Sequence, residues 1–553
     1  MTTSQQLPIP PEFQFEWDAP EEAMRFWTAD LMHWPNGISL LSATMDAPAF
    51  GRGLNKAGQQ LCMPFGQVDF KHIRGYVYSS FPPYSTDPVE MAKRMEEMQA
   101  QMMQHVPGLL QRWYKEYEPE VRSINEETLK GDYAKLGDAD LSDLLQALVD
   151  KREREGELHF LAVFPAMGAV MFYEQLYSEL IGTPRAGEHL QLLQGFANKS
   201  TETDAGIWRL AVEARKRPAV LEILRQVGPA RAHTALAESD EGKVFRGAVE
   251  EFLDTYGWRS NELDIGEPTW KEDPSTAYSL IRQYASLDGY DPEQEMKSLR
   301  AAREARQKLV LERVPGEQAA MFQQVLAGAQ QYLPIQEDHN FWIDQQGVAV
   351  QRVPVLEAGR RLVSAGRLEQ AGDVFFLRYE ELQDALRGEK GGLKDLVQQR
   401  RREREEDRKL TPPPVLGTPP PAEAGLEDNP MVTKFWGAPP EESPDPRIIN
   451  GNAASAGKAT GVARVILSLD ASDRLQPGEI LVCPATNPPW TPLFGIASAV
   501  VTDHGGILSH TAIVAREYQI PAVVGAKVAT ALIKDGQTIT VDGEAGTVRL
   551  EGA

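Results

Sequence analysis

Cysteine is nearly absent from the 553 residues: only Cys62 and Cys483 occur. Two distant thiols without metal-ligand spacing exclude a disulfide framework and suit a reducing, cytoplasmic compartment. Positive charge is in deficit, with 57 Lys+Arg against 80 Asp+Glu and a net of −23. The resulting field repels phosphate backbones and anionic lipid, which argues against a nucleic-acid partner. No unbroken run of about 18 apolar residues occurs, and MTTSQQLPIPPEFQFEW has neither a basic n-region nor an apolar h-region. Neither a membrane span nor an export signal is expected. A G-x-x-x-x-G-K-[ST] phosphate loop is also missing. What is present is ordinary for a globular protein, 42% hydrophobic and 25% charged, in a chain too long for one core of about 250–300 residues.

Most of the text from Glu21 to Gly388 repeats its apolar residues at intervals of three and four, which predicts helices. In MAKRMEEMQAQMMQHV, Met91, Met95, Met98 and Met102 share one stripe, expected to be core, with a pocket wall as the alternative reading. HFLAVFPAMGAVMFYEQL, from His159, is apolar nearly all round and is expected to be buried, with Pro165 kinking it or cutting its first turn short. Its Met167 and Met171 are candidates for an adaptable binding wall. In RRREREEDRKL both signs interleave, the mark of a solvated helix end rather than a binding patch. Eleven prolines then fall between Pro412 and Pro446, predicting an extended spacer. Beyond it GVARVIL, EILVCPA, SAVVTD, QTITVDG and GTVRLEG read as strands. The expected architecture is multidomain: a large, mostly α-helical substrate-binding domain (1–388), a charged and Pro-rich linker (389–446) and a small α/β domain (447–553).

The chemistry centres on TDHGGILSHTAIVAREYQIPAVVG. A strand ends at SAVVTD, Gly505 and Gly506 permit a tight turn, and a helix begins near Ser509 and stops at Pro521. His510 then lies in the first helical turn. Unpaired N–H groups there favour an anion by about 0.3–1 kcal/mol and disfavour an imidazolium. A neutral ring nitrogen surrounded by donors is what a phosphohistidine needs.

With SAGKATGVARVI, PGEILVCPATNPPWTPLF and DGQTITVDGEAGTVRL, this segment resembles the swivelling phosphohistidine domain of phosphoenolpyruvate-utilising enzymes over most of residues 447–551. That family includes phosphoenolpyruvate synthase, pyruvate phosphate dikinase and rifampicin phosphotransferase. The resemblance implies His510 as phosphoryl carrier, Ser509 as its neighbouring hydroxyl, and Gly505, Gly506 and Thr511 as the phosphate loop. His504, outside the Gly-Gly-x-x-Ser-His core, reads as a local hydrogen-bonding residue.

GWRSNELDIGEPTWKEDP and GRRLVSAGRLEQAGDVFFLRYEEL are similar to the substrate domain of rifampicin phosphotransferase, which implies an apolar pocket for an organic acceptor. QEDHNFW offers Glu337 and His339 as a base, with Arg352 or Arg259 opposite the moving charge. Helix capping, and an Arg259–Glu262 ion pair, are the plain structural alternatives; Glu262 otherwise joins the substrate side. Antibiotic-phosphorylating relatives resemble Arg-Glu followed by a basic residue at the positions where this chain has Gln336, Glu337 and Asn340. The resemblance lacks an ATP-grasp domain, so a separate ATP-grasp subunit is expected to hold Mg²⁺ and ATP and to charge His510, as in phenylphosphate synthase. No metal site is expected in the chain itself, and a homo-oligomer is left open. The alternatives are a lyase or isomerase using His510 as acid or base, and a non-catalytic regulatory subunit.

Overall fold

The computed structural model describes residues 6–182, 188–287, 289–389, 391–420 and 430–551. Contacts divide the chain into two units. Unit 1 comprises residues 1–165, 262–267 and 342–425; unit 2 comprises residues 166–261, 268–341 and 426–553. These divisions interleave, whereas the sequence reading cut the chain once on each side of a linker. The chain passes from one unit to the other inside the 44-residue helix Asp138–Ile181, at Pro165. The helix continues through that proline rather than starting after it. It is long and apolar enough, by length and composition, to cross a membrane, and 72% of its most apolar 18-residue window is buried within the protein.

Unit 1 is not all-α. Four strands, β1 (Phe26–Ala29), β2 (Asp69–Ile73), β3 (Tyr76–Ser80) and β4 (Val415–Gly417), form an antiparallel sheet in the order β2-β3-β1-β4. The β2–β3 hairpin closes through Arg74 and Gly75, both at positive φ (50° and 81°), the backbone of a two-residue primed turn. Strand β4 comes from the Pro-rich segment, which corrects the reading of that segment as spacer alone. The segment leading into β4 is anchored by two phenols: Oη of Tyr76 donates to Leu410 O and Oη of Tyr78 to Pro413 O. Residues 421–429 of the expected linker lie outside the described residues. A short helix, Pro430–Trp436, follows where the text has no further proline until Pro439.

The methionine stripe is a second correction. No residue of the helix Pro88–His105 is buried, and Met95 is 44% exposed. The stripe is bordered by Arg94, Gln99 and His105, leaving it too narrow to form a core face. The helical core of unit 1 instead gathers Leu41, Leu145, Val348, Val355 and Val374. Residues 262–267 are pinned to it by Asp264, whose carboxylate accepts from Ser39 N (2.7 Å), Ser39 Oγ (2.5 Å), Ser42 Oγ (2.6 Å) and Gly266 N (2.8 Å). This places a negative charge at the start of the helix Leu40–Gln60, where the helix field favours it.

Unit 2 contains an eight-stranded sheet: β5 (Ile448–Asn450), β6 (Asn452–Ser455), β7 (Lys458–Val465), β8 (Ile480–Cys483), β9 (Ala499–Thr502), β10 (Ala522–Val524), β11 (Thr538–Asp542) and β12 (Thr547–Leu550). Their order is β5-β12-β11-β7-β8-β9-β10-β6, with β7 through β10 parallel. Apolar β-branched runs such as AVVT are buried on both faces, as central parallel strands require. One core joins this sheet to the helices: Ile207, Phe245, Tyr278 and Ile281 share it with Leu481, Leu493, Val500 and Ala515. The C-terminal domain is therefore packed against helical residues 166–341 and not held apart from them.

Replacing Asp264 by Ala leaves four donors without their acceptor and is expected to cost about 3 kcal/mol or more. Urea unfolding should show a lowered midpoint; an unchanged midpoint would remove Asp264 from this role.

Candidate functional site

The helix His510–Glu517 is the crossover between the parallel strands β9 and β10, so its N-terminus faces the carboxyl end of the sheet, where open α/β sheets gather ligands. The turn into it needs glycine. Gly505 sits at φ 106°, and a Cβ there would lie 2.8 Å from Ser509 Oγ. A Cβ on Gly506 would lie 2.3 Å from the carbonyl oxygen of Lys434. The segment 434–437 covers this turn closely: Gly506 N donates to Phe435 O and Leu508 N to Lys434 O, both at 2.8 Å. Lys434 in turn pairs with Glu174.

His510 opens the helix, with its side chain 9% exposed. Nδ1 lies 3.3 Å from Glu337 Oε1, and Nε2 lies 3.4 Å from Thr491 Oγ1. The other oxygen of Glu337 accepts from Ser200 Oγ at 2.5 Å. Burial pushes the Glu337 carboxyl up, but the charge and hydrogen bond of His510, with the Ser200 bond, outweigh it and hold the group below the usual carboxylate range. A carboxylate facing Nδ1 fixes a proton there and leaves the lone pair on Nε2, on the Thr491 side of the ring. Ser509 occupies the capping position, yet its hydroxyl makes no cap; it is buried and has no partner. It is a donor awaiting an acceptor beside His510. Thr511, in contrast, is engaged with Thr486, Oγ1 to Oγ1 at 2.8 Å.

The helix Tyr332–His339 carries Glu337 in its interior, so capping does not explain it. Its Tyr332 Oη donates to Leu508 O at 3.0 Å, tying the two helices together next to the pair. His339 turns its Nδ1 to Ile335 O at 2.7 Å within its own helix, and Glu337 alone of the two meets His510. The side-chain oxygens of Gln336 and Asn340 are buried without a hydrogen-bond partner.

Arg259 is wholly buried, stacked on Phe341 (4.8 Å) and Trp270 (5.5 Å), with Nη2 3.4 Å from Thr203 Oγ1 and with Nε and Nη1 unpartnered. Burial lowers its guanidinium to about 9, opposed by the charges of Tyr256 and Glu337. Arg352 and Glu262 belong to unit 1. There Arg352 donates to the carbonyls of Ile265 and Gly266 at 2.9 Å, and Glu262 accepts from Asn36 at 2.9 Å. Met167 is buried and Met171 half-buried along the apolar helix.

Ser200, Thr491 and Tyr332 were not foreseen. In the sequence Ser200 is one polar residue of a helix start, NKSTE, and only the fold carries it to Glu337. A buried acid cluster was likewise hidden. Asp204 accepts from Tyr284 and, at 3.2 Å, from Tyr290, and Tyr518 also bonds it. Glu517 accepts from Gly195 N at 3.1 Å. Burial raises Asp204 to about 6 and Glu517 to about 8.

Two segments match models of known protein families. Residues 475–546 match the mobile domain of PEP-utilising enzymes, and residues 159–337 match the fourth domain of rifampicin phosphotransferase. Among relatives, chondramide synthase cmdD of Chondromyces crocatus is 33% identical over 98% of this chain and 14% of its own length. The uncharacterized phosphotransferase YvkC of Bacillus subtilis is 32% identical over 95% of this chain and 61% of its own. Rifampicin phosphotransferase of Streptomyces sviceus is 30% identical over 74% of this chain and 46% of its own. The chain thus spans less than two thirds of each of these relatives.

Two outcomes are expected. Glu337→Gln removes the charge that holds the Nδ1 proton, so ¹⁵N spectra of labelled histidine should show His510 shifting toward the other tautomer; an unchanged ring spectrum would contradict the pairing. Second, Asp204 and Glu517 titrate higher when folded than unfolded, so the native state binds more protons between about pH 4 and 8. Their contribution to stability is full below about pH 4 and is lost as pH rises through 6 and 8. Glu517→Gln should flatten the fall in urea midpoint over that window, and an identical slope would contradict the assignment.

Proposed function

We propose that the chain is the carrier and acceptor part of a phosphotransferase, with the phosphoryl group borne on Nε2 of His510. The observation that carries this reading is the Nδ1···Glu337 contact at a helix N-terminus, because it leaves one nucleophilic nitrogen aimed away from the carboxylate. In the charging step Nε2 would attack a phosphorus of the phosphoryl donor; an N–P bond forms, the P–O bond to the donor's leaving group breaks, and the remainder of the donor departs with that oxygen. In delivery an acceptor oxygen attacks phosphorus, an O–P bond forms, the N–P bond breaks and Nε2 regains its lone pair. The acceptor's hydroxyl proton passes to solvent, Glu337 keeps its hold on the Nδ1 proton, and Ser509 Oγ donates to the phosphoryl oxygens. The site works by positioning and charge, as phosphoryl transfer requires.

Phosphotransferases of this family typically use ATP and Mg²⁺. Around His510 the described side chains are hydroxyls and one carboxylate, which suits a phosphoryl group but gives Mg²⁺ a single charged ligand, where that ion seeks octahedral oxygen coordination. We therefore assign Mg²⁺ and ATP to a separate ATP-grasp partner. The acceptor is an apolar alcohol or phenol held by helical residues. Support comes from the buried aromatic and aliphatic helices of residues 159–337 and from the relative named for rifampicin. The unpartnered oxygens of Gln336 and Asn340 stand where antibiotic-phosphorylating relatives resemble a basic pair, and so favour an acceptor with hydrogen-bond donors. Charging from a partner requires a second placement of residues 447–553, for which the packed arrangement is the delivery state.

On incubation with an ATP-grasp partner and Mg-ATP, intact mass should rise by one phosphoryl group, and the gain should vanish after acid treatment and in His510→Ala. The chain with Mg-ATP alone should gain none. A gain that survives in His510→Ala would overturn the carrier assignment.

A further inference from the structure

The charged run RRREREEDRKL acquires a different meaning once folded. It ends the helix Leu393–Asp407, and Arg401, Arg404 and the C-cap residue Arg408 recur at intervals of three and four. That spacing sorts the interleaved charges by face. The three arginines turn toward one cavity of about 400 Å³ in unit 1, joined there by Arg352, Phe375 and Phe376. Only Glu267 and Glu405 oppose them in the lining. A concentration of guanidinium groups is unexpected in a chain of net charge −23.

Each guanidinium is held from behind. Arg352 lies over the Phe375 ring at 4.7 Å and donates to the backbone carbonyls of Ile265 and Gly266 at 2.9 Å. Arg401 lies over Phe376 at 4.4 Å and donates to Asp373 Oδ1 at 2.5 Å. Asp373 also accepts from Glu369 N and Gln370 N at 3.0 Å, so part of its charge serves the backbone. Arg404 is 3.5 Å from Asp264 Oδ2, a carboxylate already taking four shorter hydrogen bonds. Arg408 is 4.0 Å from Glu267 Oε1, at the outer limit of an ion pair. Asp264 and Asp373 are nearly closed to solvent, while Arg404 and Arg408 remain 20% and 56% exposed. The carboxylate anchors are therefore inside, while Arg404 and Arg408 reach solvent.

We infer that this cavity is a binding site for a phosphate-bearing small molecule, separate from the phosphohistidine loop. Planar guanidinium forks match phosphate oxygens two at a time, and stacking on phenylalanine keeps them oriented. The volume lies within the range of small-ligand sites, and its concavity favours a small molecule over an acidic protein segment.

Calorimetric titration of the whole chain with inorganic pyrophosphate tests the site. The expected result is saturable one-to-one binding that weakens with added salt and falls at least tenfold in Arg404→Gln/Arg408→Gln. Both substituted side chains reach solvent, and circular dichroism and the melting temperature of the variant should match the parent. His510→Ala should bind pyrophosphate as the parent does. Absence of saturable binding, equal binding by the double variant, loss of binding in His510→Ala, or equal affinity for citrate would each overturn the assignment.

Discussion

The reading of this protein as a phosphoryl carrier depends on a carboxylate set against one nitrogen of a histidine. The Glu337–His510 contact joins two helices from distant parts of the chain, at 3.3 Å, and everything around it maintains that distance. Ser200 holds the far oxygen of Glu337, Tyr332 ties its helix to Leu508, and the glycine turn sets the entry of the His510 helix. The partly helical core with Ile207, Tyr278, Val500 and Ala515 makes the two sides one packed body. Without that body the histidine would be an ordinary residue at a helix start. With it, the ring has one committed nitrogen and one available.

The turn itself was legible in the sequence. Strand, Gly-Gly, Ser-His and a proline stop follow from local backbone preferences, and the structure has β9, a positive φ at Gly505 and a helix beginning at His510. Glu337 was legible as a candidate but not its partner, because pairing across 173 positions depends on packing. Ser200 and Thr491 carried no signal, being hydroxyl residues at ordinary helix starts. Arg352 was read toward the moving charge and instead buttresses residues 265 and 266. The strands β1–β4 were missed for a specific reason: each is three to five residues long, and an Arg-Gly turn lacks the usual Asn-Gly or Asp-Gly signal. The methionine stripe misled because periodicity gives the direction of a face and not its breadth.

Charge tells a similar story at another scale. A total of −23 argues against polyanionic partners only when the charges are spread evenly. Helical spacing gathers Arg401, Arg404 and Arg408 on one side of a run whose text alternates in sign. Buried carboxylates do the opposite work in unit 2, where Asp204 and Glu517 sit among phenols and backbone N–H groups and resist ionisation. Net charge constrains the surface as a whole; local geometry decides what any one site attracts.

The central claim is that Glu337 directs phosphorylation to the far nitrogen of His510. Phosphorus NMR of the charged protein, compared with authentic isomers of phosphohistidine, reads this directly. The account predicts a single Nε2-phosphohistidine resonance that His510→Ala abolishes. An Nδ1-phosphohistidine, or a phosphate on any other side chain, would contradict it.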